Sequence, residues 1–386
     1  MVKFKIGVED LKRVVNSALN SFDANIDINL KQIVFKADEA EQQISVAAYS
    51  YLMSFYTKVP AEIETDGIFT LGLEISDIVN VCATKNENTA IEYIEFEEQE
   101  KFVKVTADER GKPETPFENY ENALQWLLPK TPDQRVLKYL NFDLLDYKVA
   151  DDVEELDINN MKFILDVFTP LLTKGEIRQP SAYLYFSKEY IYCVNGSTVS
   201  YNVNIFDKLH DINLNSKVLS YLKVLLTEAT ETSSLFLFSL DNKMVVMFDT
   251  YVVVYNLPKM KTFSIDHYLE ERKDGFIISM EMLTNIIRRG MISDKTLRFE
   301  MSDGNLIIKN TKESTNSPIK FNSTIPILKQ SCEDIGFSVD LEMLLKAILQ
   351  DQGKYALLYG YKANGVKRIK LTDEAKTWYS DIPVGK

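Results

Sequence analysis

Two histidines, three cysteines and 14 glycines among 386 residues leave little of the material from which catalytic and metal sites are built. His210 and His267 stand alone, in no HExxH motif and no other metal-spaced pair. Cys82, Cys193 and Cys332 lie more than a hundred residues apart and form no CxxC pair. That disfavours a zinc site and a disulfide framework, and all three read as reduced thiols. The glycines form no GxxxxGK phosphate loop and no GxGxxG fingerprint. Acidic clusters at Glu92 to Glu100 and Asp151 to Asp157 lack the spacing of an oxygen-ligand loop and read as solvated surface. No cofactor, metal or catalytic residue is expected.

Long apolar runs are also missing. No stretch approaches the roughly 18 residues of a membrane span, and the opening MVKFKIGVEDLK alternates and then turns charged, unlike a secretory signal. A cytoplasmic protein without membrane contact is expected. A net charge of −13 opposes a surface that binds nucleic acid everywhere, leaving room only for a local basic face.

What is present is repetition. With 45% hydrophobic residues the chain can bury real cores. Apolar-striped helical segments open at Val8, Asn159 and Met280, and second helices begin near Leu73, Leu214 and Val339. The two helix starts of each unit are about 55 to 65 residues apart, with strand-like runs between and after them. The expected fold class is α+β, three tandem copies of one module of two helices packed on antiparallel sheets. The units span 1–110, 149–260 and 261–386. Segment 111–148, where Pro113, Pro116, Pro129 and Pro132 punctuate one or two short helical stretches, reads as an extended linker packed on the surface. Asp303-Gly304 and Asn364-Gly365 predict hairpin turns.

Charge is sorted along the chain. Lys12, Arg13, Lys162, Lys217, Lys223, Arg288, Arg289 and Lys346 fall off the apolar stripes of the helices, while Glu9, Asp10, Glu281 and Asp340 gather at helix starts. Taken singly, each base complements a helix dipole or aids solubility. Together, on an acidic protein, they imply an anionic partner at the helical face, held through phosphates without base reading.

Segment order resembles that of the bacterial β-type DNA polymerase sliding clamps over essentially the whole chain. The segments that carry the likeness are FKIGVEDLKRVVNSAL and GIFTLGLEISDIVN, then DINNMKFILDVFTPLLT with YIYCVNGSTVSYNV. In the last unit they are ISMEMLTNIIRRGMISDKTLRFEMSDGNLIIKN, IGFSVDLEMLLKAIL and the ending DIPVG. The resemblance implies three clamp domains per chain and a head-to-tail homodimer closing a ring, with helices lining the hole. It further implies double-stranded DNA as a non-sequence-specific partner, and a polymerase and a clamp loader bound through short peptide motifs. By position the peptide cleft maps onto Leu184, Gly196, Val199, Ile382, Pro383 and Val384, and the dimer seam onto Phe102, Met291 and Ile292. Where the family has a TDGHRLA-like run this chain has VNGSTVS, keeping Gly196 and an aliphatic Val199 but losing the histidine and arginine. This drift and a composition rich in Lys, Asn, Ile and Tyr point to a bacteriophage version. Two other readings stay open: a non-ring DNA-binding processivity factor or scaffold, and an enzyme with an unrecognised site.

Overall fold

The computed structural model describes residues 1–22, 27–131, 134–173, 179–196, 198–240, 243–255, 264–269, 275–311, 319–348, 354–363, 366–373 and 378–385. The chain begins with β1 (Lys3–Gly7), α1 (Val8–Ser21), β2 (Ile33–Asp38), β3 (Gln43–Tyr49), β4 (Met53–Pro60), β5 (Glu62–Thr65) and β6 (Gly67–Leu71). Next come α2 (Glu74–Cys82), β7 (Thr89–Glu98), β8 (Phe102–Gly111), β9 (Glu121–Pro129) and two 3-10 turns, Gln134–Tyr139 and Phe142–Asp146. There follow α3 (Ile158–Phe168), β10 (Tyr183–Phe186), β11 (Tyr190–Asn195), β12 (Thr198–Val203), β13 (Ile212–Asn215) and α4 (Ser216–Leu225). After these run β14 (Leu235–Leu240), β15 (Lys243–Phe248), β16 (Tyr251–Tyr255), β17 (Phe276–Ser279) and α5 (Met280–Gly290). The chain closes with β18 (Thr296–Ser302), β19 (Asn305–Asn310), β20 (Asn322–Pro326), β21 (Lys329–Gln330), β22 (Gly336–Asp340), α6 (Leu341–Ile348), β23 (Tyr355–Ala363), β24 (Val366–Asp373) and β25 (Trp378–Pro383). Among the described residues the six α-helices start within two residues of the positions expected from the apolar stripes.

Residues pack into two compact units, Met1–Ile158 with Val224–Pro258, and Asn159–Lys223 with Lys259–Lys386. The first holds a seven-stranded sheet, β14-β15-β16-β4-β3-β2-β6, and a five-stranded sheet, β5-β1-β7-β8-β9. Helix α1 lies against α2 and strands of both sheets, burying Leu11, Val14, Val15 and Ala18 at helical spacing. Phe4, Phe35, Phe69 and Phe96 stack between the sheets, the closest pair of rings 4.8 Å apart. Strand β1 alternates buried Phe4 and Ile6 with half-buried lysines, as a strand with one wet face must. Strand β16, YVVVY, is apolar throughout and buried throughout.

The second unit holds a nine-stranded sheet, β13-β10-β11-β12-β25-β24-β23-β17-β21, and a four-stranded sheet, β20-β19-β18-β22. Helix α5 packs on α6 and β17, and α6 on β22 and β25. Ser279 caps α5 by accepting from the Met282 amide, and Asp340 Oδ1 accepts from the Glu342 and Met343 amides at the start of α6. The hairpin expected at Asp303-Gly304 joins β18 to β19, with both residues at positive φ (51° and 73°) as a type I′ turn requires. The turn expected at Asn364-Gly365 lies outside the described residues.

Repetition appears in the sheets themselves. The orders β6-β2-β3-β4, β13-β10-β11-β12 and β22-β18-β19-β20 are the same arrangement met three times. Segment 111–148 holds more than a linker with short helices. The 3-10 turns are there, but Glu121–Pro129 form strand β9, because the run has period two: Leu124, Trp126 and Leu128 point to the covered face, and Ala123, Gln125 and Leu127 to solvent. Beyond it, fully buried Val136 joins Val34, Ala47, Tyr56, Val245 and Val252 in an apolar cluster on the seven-stranded sheet. Tyr139 stacks on Tyr49 at 4.7 Å, and the Asn141 amide donates to Tyr56 Oη at 3.1 Å.

Candidate functional site

The eight basic residues all sit on the water-facing sides of helices. Lys12, Lys162 and Lys217 are half-buried along their stems, and Arg13, Lys223, Arg288, Arg289 and Lys346 are exposed. Three are held by helix acids: Arg13 by Asp10 at 2.9 Å, Lys223 by Asp166 at 2.6 Å and Lys346 by Glu342 at 3.0 Å. Exposed pairs of this kind contribute about 0 to 1 kcal/mol, so a phosphate can take the place of the carboxylate at small cost. Arg288 and Arg289 close the last turn of α5, where the helix dipole favours cations.

The cleft residues are distributed over both faces of the nine-stranded sheet. Cross-strand register aligns Leu184 with Cys193, Cys193 with Ser200 and Ser200 with Ser380, so these share one face, and Ile382 lies on it two residues beyond Ser380. Val199 pairs with Val194 and with Asp381, and so lies on the other face, together with Pro383. Leu184, Val199 and Ile382 are buried; Pro383 and Val384 are half-exposed. Gly196 occupies the β11–β12 turn at φ 62°, with open space where a Cβ would stand. It borders a cavity of about 400 Å³ on the Leu184 face, formed with Asn195, Thr198 and Ser200 from the sheet and Met343 and Lys346 from α6. The structure thus brings Gly196 together with Lys346, from the basic set. The α6 wall was not visible in the sequence, where Met343 reads as an ordinary helical residue.

The Val199 face is organised around groups that local sequence pattern does not single out. Lys370 is fully buried, its Nζ donating to Tyr201 Oη at 3.0 Å and to the Tyr268 carbonyl, with the rings of Tyr201, Tyr359 and Tyr379 within 5.8 Å. Arg368 forms an ion pair with Asp381 and lies 4.9 Å from the Tyr268 ring. Burial alone would push the Asp381 carboxyl up to about 8; the guanidinium in contact opposes this by favouring the carboxylate. The one available signal was the alternation of tyrosines on neighbouring strands, which marks a covered face.

The three residues expected at a seam are exposed. Phe102 opens β8 at 42% exposure, and Met291 and Ile292 follow α5 directly at 40% and 73%. Gly290 lets this helix end close on β18, since a Cβ there would stand 2.6 Å from Leu297 Cδ1.

No family model matches the chain, and no curated protein does. Solved structures do. The DNA polymerase sliding clamp from Pseudomonas aeruginosa is 12% identical, with a TM-score of 0.77 over 100% of both chains. The β sliding clamp of C. crescentus is 13% identical at a TM-score of 0.75, over 100% of this chain and 99% of that one. DNA polymerase III subunit beta from Borrelia burgdorferi, solved in complex with a natural product, is 15% identical at 0.77, over 100% and 98%. Over its full length, the chain has the fold of the bacterial sliding clamps.

Proposed function

We propose that this protein is a DNA polymerase sliding clamp: a head-to-tail homodimer that encircles duplex DNA and tethers the replicative polymerase. The observation that carries the reading is the thrice-repeated strand order joined to a full-length likeness to sliding clamps. In this reading 1–110, 149–260 and 261–386 are the clamp domains. Lys12, Arg13, Lys162, Lys217, Lys223, Arg288, Arg289 and Lys346 make weak phosphate contacts, and Phe102, Met291 and Ile292 belong to the dimer seam. A protein held by topology needs no strong bond to DNA, which agrees with a net charge of −13 and with basic side chains half-engaged by helix acids. The polymerase and a clamp loader bind through short peptide motifs around Gly196, Pro383 and Val384, with Leu184, Val199 and Ile382 forming the buried support. Sliding clamps of this fold have been solved with ligands, among them griselimycin on the Pseudomonas aeruginosa protein. The protein acts in the cytoplasm, that of a bacterial host if it is encoded by a phage.

Loading onto closed circular DNA by the cognate loader, followed by high salt, tests the mechanism. Topological retention predicts survival on the circle and escape once the circle is cut. Equal release from circular and linear DNA would instead favour an open scaffold held by charge.

A further inference from the structure

Strands β12 and β25, far apart in the chain, meet over four residue pairs, Val199↔Asp381 to Asn202↔Trp378. The cavity beside Gly196 spans this short junction: Ser200 and Ser380 hydrogen-bond across it at 2.9 Å, and both line the cavity. Any play between the two strands would therefore alter the shape of the cavity. The opposite face of the sheet holds them more firmly. There a row of paired residues, Val199, Asp381, Lys370 and Tyr359, crosses β12, β25, β24 and β23. Two residues along, Tyr201 of β12 stacks on Tyr379 of β25 with ring centroids 4.7 Å apart.

Lys370 is fully buried in this row, and an ammonium withdrawn from water must find acceptors in its place. Its Nζ donates to Tyr201 Oη at 3.0 Å and to the Tyr268 carbonyl, and Tyr201 Oη donates to the same carbonyl at 3.3 Å. The Arg368 guanidinium lies 4.9 Å from the Tyr268 ring. One residue of the 3-10 turn Asp266–Tyr268 is thus held from β12 and from β24 at once. Lifting that turn off the sheet would take an acceptor from a buried cation, so docking of the turn and satisfaction of the lysine are a single event.

We propose that Lys370 is a positioning residue for the peptide cleft: by pinning Tyr268 across the β12–β25 junction it fixes, from behind, the two strands that carry the cavity. The proposal rests on the clamp reading above, and Lys370 itself touches no peptide. Tyr201 passes the hold to β12, since its hydroxyl accepts from the lysine and donates to the turn while its ring lies on Tyr379. Directional bonds of this kind fix one arrangement, where apolar contact would permit sliding. The β4–β16 junction is built differently, under the apolar cluster of Val136, Tyr56, Val252 and Val254. Among the described residues Arg368 and Lys370 are the only buried cations.

Hydrogen exchange and polymerase assays on the full chain test this, with Lys370→Met, which keeps the volume and removes the donors, and Tyr201→Phe, which removes one hydroxyl. In both variants the amides of β12 and of 264–269 should exchange roughly tenfold faster or more, while the β18–β19 hairpin keeps its protection. Stimulation of the cognate polymerase should fall, with retention on closed circular DNA unchanged. Should Lys370→Met fail to fold, Tyr201→Phe carries the test alone. Unchanged exchange at the junction, wild-type stimulation despite a loosened junction, or faster exchange spread evenly over the unit, as from a merely structural lysine, would each overturn the proposal and leave the clamp reading standing. A wild type that neither stimulates the polymerase nor stays on circular DNA overturns both.

Discussion

Arg368 reaches diagonally across the β24–β25 ladder to the Asp381 carboxylate, at a place where the two side chains are 4% and 0% exposed. In register Arg368 faces Pro383, so the contact exists only because the long guanidinium spans to the next position on the same face. The second carboxylate oxygen has no hydrogen-bond partner, so Arg368 makes the ion pair of this carboxylate, with buried Lys370 opposite Asp381 in the same ladder.

Removing the cation should therefore cost more than the pair contributes. Arg368→Met is expected to destabilise the protein by roughly 3 to 5 kcal/mol, and Arg368→Met with Asp381→Leu should recover most of the loss. The single variant should also acquire a pH dependence. Its buried carboxyl would titrate well above the ordinary 3.8, toward the value of about 8 that burial alone sets. A raised folded-state pKa means stability is fully present below 3.8 and lost as pH rises through 8. Urea unfolding of the single and double variants from acid to mildly alkaline pH measures both effects; equal pH profiles would show that Asp381 does not need Arg368.

Buried tyrosines set an alkaline limit. Burial pushes Tyr192 and Tyr251 up to about 12, and Tyr201 and Tyr255 further still. In the unfolded chain these phenols ionise near 10. Their contribution is intact below that pH and declines as pH rises through the folded values, so unfolding midpoints should fall steeply above about pH 10. Ultraviolet titration of tyrosinate should show a late, cooperative phase coinciding with unfolding; smooth ionisation of all tyrosines in a folded protein would contradict it.

Thiol reactivity should divide the cysteines. Burial raises Cys82 to about 11 and Cys193 to about 12, whereas Cys332 is partly exposed. Brief alkylation of the native protein at mildly alkaline pH should mark Cys332 alone, as peptide mass spectrometry would read; marking of Cys193 before unfolding would mean the β11–β12 hairpin opens.

Ile292→Asp, at an exposed position beyond α5, should leave the fold of the single chain intact and weaken the dimer. Withdrawing one such side chain from an apolar contact costs about 1.5 to 3 kcal/mol. Sedimentation velocity over a dilution series gives the answer, and a dimer as tight as the wild type would move the seam elsewhere.

Arg288→Ala with Arg289→Ala should lower low-salt binding to duplex DNA equally for all sequences. The dependence of log K on log salt should flatten by about 0.9 for each phosphate that is no longer neutralised. Fluorescence anisotropy at several salt concentrations would show it, and an unchanged slope would take the end of α5 off the DNA path.

Deleting the tail from Asp381 onward is not a clean test of the peptide cleft, because Asp381 and Ile382 are core residues of β25. Val384→Asp, at a half-exposed position just beyond the strand, should reduce polymerase stimulation without affecting the fold.

Helix starts, the apolar stripes of α1 and α5, the Asp303-Gly304 hairpin and the repetition of modules were legible in the order of residues. Each depends on neighbours within a few positions: a 3.6-residue period, a two-residue turn, a cap. Strand β9 shows where that reading stops. Its alternation was present in ENALQWLLP, but only pairing with β8 made it a strand, and prolines on either side looked like a linker. Nothing in the stretch VKRIKLTDE marks Arg368 and Lys370 as buried, because local pattern carries no information about what lies across the sheet. Their burial was decided by register, which set Asp381 and the rings of Tyr201, Tyr359 and Tyr379 around them. Register likewise put Leu184 and Val199 on opposite faces: side chains alternate at every residue, so only the pairing of strands far apart in the chain determines which face a position joins.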